Sequence, residues 1–173
     1  NSINCPEHIA AKTNKPKVIS TLGRISSKKG TFDLLNAIPL VIKEVPDVEF
    51  WLCGEGEKPN DMALAKKNIE QKQLKNNVKL LGWVSGKQKE TVYLNSWIYV
   101  LPSHYEGMSR SILEAMAYGL PVVTTKINGT LDLVQDGVTG LLVEPGDYRG
   151  LAENIILLLS DDEKRLHMGD SGR

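Results

Sequence analysis

Six short, largely apolar runs punctuate this chain, and each is followed by a break and then a helix-forming stretch. They are Lys17–Leu22, Val48–Cys53, Val78–Leu81, Trp97–Leu101, Pro121–Thr125 and Gly140–Val143. Short runs of this kind between helices suit strands buried on both faces, joined by helical crossovers. The fold class that follows is α/β: a Rossmann-like parallel sheet of about six strands with helices on both faces. In open sheets of this type ligands sit beyond the carboxyl ends of the strands. Gly23, Gly54, Gly82 and Ser103 all fall just past predicted strand ends, so the loops to watch converge on one edge.

The intervening stretches predict helices from Thr31, read as an N-cap, to Glu44, and from Asn60 to Gln73. Others are predicted from Lys87 to Asn95, from Ser109 to Tyr118, near Thr130 to Val134, through Leu159, and again from about Asp161. Pro39 is expected to kink or shorten the first of these. Gly119 is expected to stop the helix that begins near Ser109.

At 173 residues the chain suffices for one domain with a sizeable core. Lys plus Arg equal Asp plus Glu at 21 each, which argues against a nucleic-acid binder. No run of about 18 apolar residues is present and no signal-peptide pattern opens the chain, so a cytoplasmic setting is expected. The chain begins at Asn1 without a methionine and ends at Arg173, which reads as a piece of a longer protein. Cys5 and Cys53 read as two free thiols in a reducing compartment. His8, His104 and His167 are scattered and read as surface residues, and no Cys/His cluster has metal-ligand spacing.

The segment Glu106-Gly-Met-Ser-Arg-Ser-Ile-Leu-Glu114 is the densest in chemistry. Two carboxylates flank a turn that runs into a helix start, whose free N–H groups favour an anion. Carboxylates are instead suited to hydroxyl donors, so anion and polyol at one place point to a nucleotide-sugar. Three plainer readings stand beside this one. Ser111-x-x-Glu114 fits a capping box, Glu106 fits a loop carboxylate without a role, and the two glutamates fit a glycosidase acid–nucleophile pair. A second loop, Gly23-Arg-Ile-Ser-Ser-Lys-Lys-Gly30, matches neither a P-loop nor G-x-G-x-x-G, yet its Arg24 and Lys29 can supply two cations to a phosphate. Trp83 reads as a half-buried packing residue, although it could stack on a base. Asn128-Gly-Thr130 reads as a helix-capping turn rather than a glycosylation acceptor.

Read in order, the motifs resemble one family. They are Gly-Arg-Ile with a later Lys-Gly, Leu-Cys-Gly-Glu-Gly, Val-Lys-Leu-Leu-Gly-Trp-Val, Val-Leu-Pro-Ser-x-x-Glu-Gly, Leu-Glu-Ala-Met-Ala-x-Gly-Leu-Pro-Val-Val and Asp-Gly-Val-Thr-Gly-Leu-Leu-Val. From about Lys17 to Arg173 the chain resembles the C-terminal, donor-binding domain of family 4 glycosyltransferases, retaining enzymes of the GT-B fold. The resemblance implies donor binding by Gly23, Arg24, Lys29, Val84, Glu106, Gly107, Met108, Ser109 and Glu114. Arg24 and Lys29 match the diphosphate pair, Glu114 the ribose ligand, Glu106 the contact to the transferred sugar, and Val84 the backbone that reads the base. Arg24, Lys29 and Glu106 are the implied catalytic residues. The implied donor is a UDP-sugar in preference to a GDP-sugar, with no metal or other cofactor. The acceptor, a glycan or lipid-linked molecule, would be held by an N-terminal domain absent here. Residues 1–16 then read as a linker, and 17–173 as a donor domain that binds without catalysing. The full-length enzyme would be a hexosyltransferase, at most peripheral on the inner face of a membrane. The chain departs from the family at Met108-Ser109-Arg110, where an aromatic residue, Gly and an apolar residue are common, and at Asp132, where glutamate is common. A nucleotide-sugar 2-epimerase half and a non-catalytic Rossmann-like assembly domain are the alternatives.

Overall fold

The computed structural model describes residues 16–173. Cys5, His8 and most of the stretch read as a linker lie outside the described residues. Six parallel strands form one sheet in the order β3-β2-β1-β4-β5-β6. They are β1 (Lys17–Leu22), β2 (Val48–Cys53), β3 (Val78–Gly82), β4 (Ser96–Leu101), β5 (Val122–Thr125) and β6 (Gly140–Val143). Each matches a predicted run to within a residue.

The crossovers are α1 (Thr31–Glu44), α2 (Asp61–Gln71), α3 (Gly86–Asn95), α4 (Arg110–Ala117), the short α5 (Asn128–Leu131) and, after β6, α6 (Tyr148–Ser160) and α7 (Asp162–Gly172). Successive side chains on a strand face opposite sides, and the core divides accordingly. Ile98 and Val100 join one apolar cluster with Leu34, Leu35, Ile38 and Val41 of α1, Ala65 and Ile69 of α2, and Leu151, Ile155 and Leu158 of α6. Tyr99 and Leu101 join a second with Val92 and Tyr93 of α3 and Ile112, Ala115 and Met116 of α4. Burying each such aliphatic side chain contributes about 1.5–3 kcal/mol, so both helical layers are held by the same alternating strands. Where polar groups enter this core they are paired: the Ser96 hydroxyl lies 2.7 Å from that of Ser20 and donates to the Val92 carbonyl at 2.6 Å.

Three local expectations change. α1 runs unbroken past Pro39, which sits on its exposed side, because Ile38 and Val41 on either side remain fully buried. Thr31 is the first helical residue and not the cap; Gly30 takes the cap position in the left-handed region with φ 68°. The Thr31 hydroxyl instead accepts the Ser26 N–H at 3.1 Å, closing the loop before the helix. The helix predicted near Thr130–Val134 lies slightly earlier, at α5, since the Ile127 carbonyl accepts the Thr130 and Leu131 N–H groups at 2.9 and 3.0 Å. Gly119 ends α4 as expected: its N–H reaches the Met116 carbonyl at 2.8 Å, and that of Leu120 reaches Ala115 at 3.1 Å.

Gly30 also packs closely against the backbone just after β4. A Cβ there would lie 1.8 Å from the Pro102 carbonyl oxygen. Gly30→Ala therefore combines a left-handed backbone with a backbone clash, and should lower unfolding stability by about 2–4 kcal/mol in urea denaturation.

Candidate functional site

β1 and β4 are neighbours, yet the strand order departs from them in opposite directions. Their following helices pack on opposite faces, so the loops after them diverge and open a crevice. Contacts between those loops fix its shape. The His104 N–H donates to the Lys28 carbonyl at 2.8 Å, the His104 imidazole contacts the Asp33 carboxylate, and the Lys28 ammonium lies 4.8 Å from the Tyr105 ring centre. Behind them the loops after β2 and β3 are stitched on as well. Gly23 N–H donates to Cys53 O at 3.0 Å, Ile25 N–H to Glu55 O at 2.8 Å, and Gly54 N–H to Gly82 O at 2.7 Å.

A pocket of about 420 Å³ opens at this edge. Gly23, Lys29, Val84, Glu106, Met108, Ser109 and Glu114, seven of the residues singled out from sequence, line it together. Arg24 and Gly107 adjoin the pocket without lining it. Arg24 is exposed and has no hydrogen bond or ion pair among the described residues. Gly107 lies with its carbonyl against Gly129, where a Cβ would come within 2.2 Å of the Gly107 oxygen and 2.3 Å of the Glu106 oxygen. Gly129 is thus a close-packing point behind the Glu106 loop. Its neighbour Thr130 is fully buried, with a hydroxyl that donates to the Ile127 carbonyl at 2.9 Å. Asn128-Gly-Thr130 is a buttress as well as a turn.

Glu106 is the best-held carboxylate in the pocket, with its side chain only 7% exposed. Its Oε1 accepts from Lys29 Nζ at 2.6 Å and from the Ser103 hydroxyl at 2.8 Å. Its Oε2 has no partner among the described residues. Glu106 is therefore not an idle loop residue: it pairs across the crevice with the cation of the other loop.

Glu114 is not the carboxylate of a capping box. It is the fifth residue of α4, two residues beyond the third helical position that a capping box with Ser109 requires, and no side chain caps that helix. Its Oε1 accepts from Lys89 Nζ at 2.8 Å and its Oε2 from the Tyr93 hydroxyl at 3.0 Å. Burial, with Tyr99 and Glu114 nearby, lifts the Tyr93 phenol far above its usual range, so it acts as a neutral donor. Both Glu106 and Glu114 are thus occupied by lysines, an arrangement unlike an acid–nucleophile pair.

Sequence reasoning missed Lys89 and Ser85. Lys89 lies in a polar, weakly patterned helix and belongs to no motif, so nothing local marked it. Trp83 also lines the pocket; it is 66% exposed and not half-buried, so the packing role expected for it is corrected. No group of three or more His, Cys, Asp or Glu side chains capable of holding a metal occurs among the described residues. No helix there is long and apolar enough to cross a membrane.

With this geometry in view, the family model described as glycosyl transferases group 1 matches residues 7–173. The chain belongs to that family. Among relatives of this glycosyl transferase group 1 domain, a poly(glycerol-phosphate) alpha-glucosyltransferase of Bacillus subtilis is 34% identical over 82% of the chain and 20% of the relative. The structure of Anabaena HepE in complex with UDP and glucose superposes with a TM-score of 0.82 at 28% identity, covering 90% of this chain and 42% of that one. The C-terminal domain of LpcC, a glycosyl transferase group 1 family protein from Francisella tularensis, superposes with a TM-score of 0.81 at 28% identity, covering 90% of this chain and 82% of that one. The chain spans less than half the length of the curated relatives it matches. Its fold is the C-terminal, Rossmann-like half of a GT-B glycosyltransferase.

Cys53 lines the same pocket but is buried, and burial pushes its thiol up to about 12. Reaction needs the thiolate, which forms only as pH rises toward that value. At pH 8, maleimide labelling of Cys53, read by peptide mass mapping, should be about a thousandfold slower than that of a free thiol. Its rate should climb with each step in pH.

Proposed function

We propose that this chain is the donor-binding domain, residues 17–173 after a linker at 1–16, of a retaining family 4 glycosyltransferase. The full enzyme would be a hexosyltransferase that moves a sugar from a UDP-sugar to a glycan or lipid-linked acceptor held by an N-terminal domain. The observation that carries the proposal is the meeting of Lys29, Glu106 and Glu114 around one pocket at the β1–β4 divergence. UDP, in preference to GDP, is supported by Anabaena HepE, whose structure was solved with UDP and glucose. The curated relatives are transferases, including enzymes of capsular polysaccharide and lipopolysaccharide core synthesis, which supports a glycan acceptor and favours neither an epimerase nor an assembly domain. In this proposal the enzyme works in the cytoplasm, peripheral to the inner face of a membrane.

Departure of the nucleoside diphosphate builds negative charge on its β-phosphate. Lys29 offers three N–H donors. One is engaged with Glu106, and the others are available to phosphate oxygens. Arg24, exposed and unpartnered among the described residues, turns in as the second cation. The N–H groups of Gly107 to Ser109, where the chain enters α4, face sugar and phosphate oxygens. Together these preorganised donors offset the leaving-group charge, and no metal is called on. The unoccupied Oε2 of Glu106 accepts from a hydroxyl of the sugar, Glu114 binds the ribose, and the backbone at Val84 reads the base. The isolated domain binds donor without transferring it, because the acceptor is held elsewhere.

A hundredfold excess of UDP over its Kd should stabilise the fold by about 2.7 kcal/mol, a rise of roughly 5–10 °C in Tm for a chain of this size. Lys29→Ala should weaken UDP by at least about tenfold. The proposal fails if millimolar UDP and GDP both leave Tm unchanged, or if Lys29→Ala binds UDP as well as the parent chain does.

A further inference from the structure

We infer that Lys89 is a positioning residue: it holds Glu114 so that the pocket selects a ribose carrying both its 2′- and 3′-hydroxyls. The inference deepens the nucleotide-sugar reading and rests on it.

Lys89 and Tyr93 lie four residues apart in α3 and therefore on one face of that helix. Each reaches a different oxygen of Glu114, Lys89 taking Oε1 at 2.8 Å and Tyr93 taking Oε2 at 3.0 Å. Tyr93 is fixed, being 1% exposed and stacked on Tyr118 with ring centres 5.2 Å apart. Lys89 reaches across the surface, with its side chain 35% exposed against 22% for Glu114. Lys89 lines the pocket together with Val84 and Ser85, which precede α3, and with Glu114.

A carboxylate oxygen accepts two hydrogen bonds. With one donor on each oxygen, Glu114 retains one acceptor position on each, side by side. That pair fits two vicinal hydroxyls, one per oxygen, and a ribose presents such a pair only when neither is missing. The terminal torsion of a glutamate is broad and roughly two-fold. Tyr93 alone secures one oxygen and leaves the plane of the carboxylate free to turn about it. The second clamp, Lys89, sets that plane. Its ammonium also prevents Oε1 from being left unpaired in the empty pocket.

Two other roles for Lys89 make different predictions. As a general cation for the diphosphate it would strengthen ribo- and deoxyribonucleotides alike. As a strut between α3 and α4 it would affect stability and leave discrimination intact.

The test is calorimetric titration of this chain with UDP and 2′-deoxy-UDP, and with GDP and 2′-deoxy-GDP. The parent chain should prefer the ribonucleotide by about tenfold or more, because a hydrogen bond to a charged acceptor is lost with the 2′-hydroxyl. In Lys89→Met the preference should fall to within about threefold, chiefly through weaker binding of the ribonucleotide, and Lys89→Arg should restore most of it. Far-ultraviolet circular dichroism and Tm establish that both variants are folded. The inference is overturned if the parent chain binds UDP or GDP without discriminating against the 2′-deoxy form. It is equally overturned if Lys89→Met keeps the preference, whether or not overall affinity drops. Failure of the parent chain to bind any of the four nucleotides would instead sink the nucleotide-sugar reading, and this inference with it.

Discussion

The site depends on one topological fact: β1 and β4 lie side by side, but the chain leaves them toward opposite faces of the sheet. Parallel strands require long crossovers, and where two adjacent strands send theirs to opposite layers the connecting loops must separate. The crevice is therefore present before any particular side chain is chosen. What the sequence adds is the means of holding its two lips at a fixed spacing. Gly30 against Pro102, the His104 N–H on Lys28, and the Lys29–Glu106 pair all bridge the same two loops. Since each contact joins a residue just after β1 to one just after β4, loosening one shifts the others.

Four of the five charged side chains lining the pocket come as matched pairs, Arg110 being the fifth. Lys29 balances Glu106, and Lys89 balances Glu114. An unpaired charge in a partly enclosed pocket is costly, and the cost falls when a partner with good hydrogen bonds is supplied. The pairs let four ionisable groups face one cavity without mutual repulsion in its empty state. They also leave selected acceptor positions unused: Oε2 of Glu106 and one position on each oxygen of Glu114. On the proposed reading, an incoming polyol would meet acceptors already oriented, so little rearrangement would oppose binding. On the proposed reading, an incoming diphosphate would meet the remaining donors of Lys29 and exposed Arg24.

Much of this was legible in the sequence, for identifiable reasons. Strand positions were readable because parallel strands are buried on both faces, and the run from Trp97 to Leu101 admits no polar residue. Gly119 was readable as a helix stop because that role is local. Several of the misreadings share a cause, which is that the deciding partner is distant in sequence. Ser111-x-x-Glu114 has the spacing of a capping box, but Lys89, 25 residues earlier, and Tyr93 claim the carboxylate first. Trp83 has the composition of a packing residue, but the loop after β3 carries it out over the pocket. Gly129 has its meaning only because the backbone of Glu106 and Gly107 passes against it. Pro39 was judged by its local cost, and burial of its neighbours outweighed that cost.

The same logic narrows what distinguishes this pocket from others of its family. Met108, Ser109 and Arg110 stand together in sequence where the resemblance expects an aromatic residue, a glycine and an apolar residue. Their situations in the fold differ. Ser109 is 5% exposed and its hydroxyl lies 3.1 Å from that of Ser111, so its side chain is already engaged within the start of α4. A hydroxyl so placed shapes the wall more than it samples the cavity. Met108 is 70% exposed and unbranched, and Arg110 is exposed at the first position of the helix while still lining the pocket. A thioether adapts its shape to different neighbours, whereas a guanidinium demands a planar acceptor or an anion. Of the three, Arg110 is the residue able to impose a chemical requirement on a ligand in the pocket, and Met108 the one able to tolerate several shapes beside it.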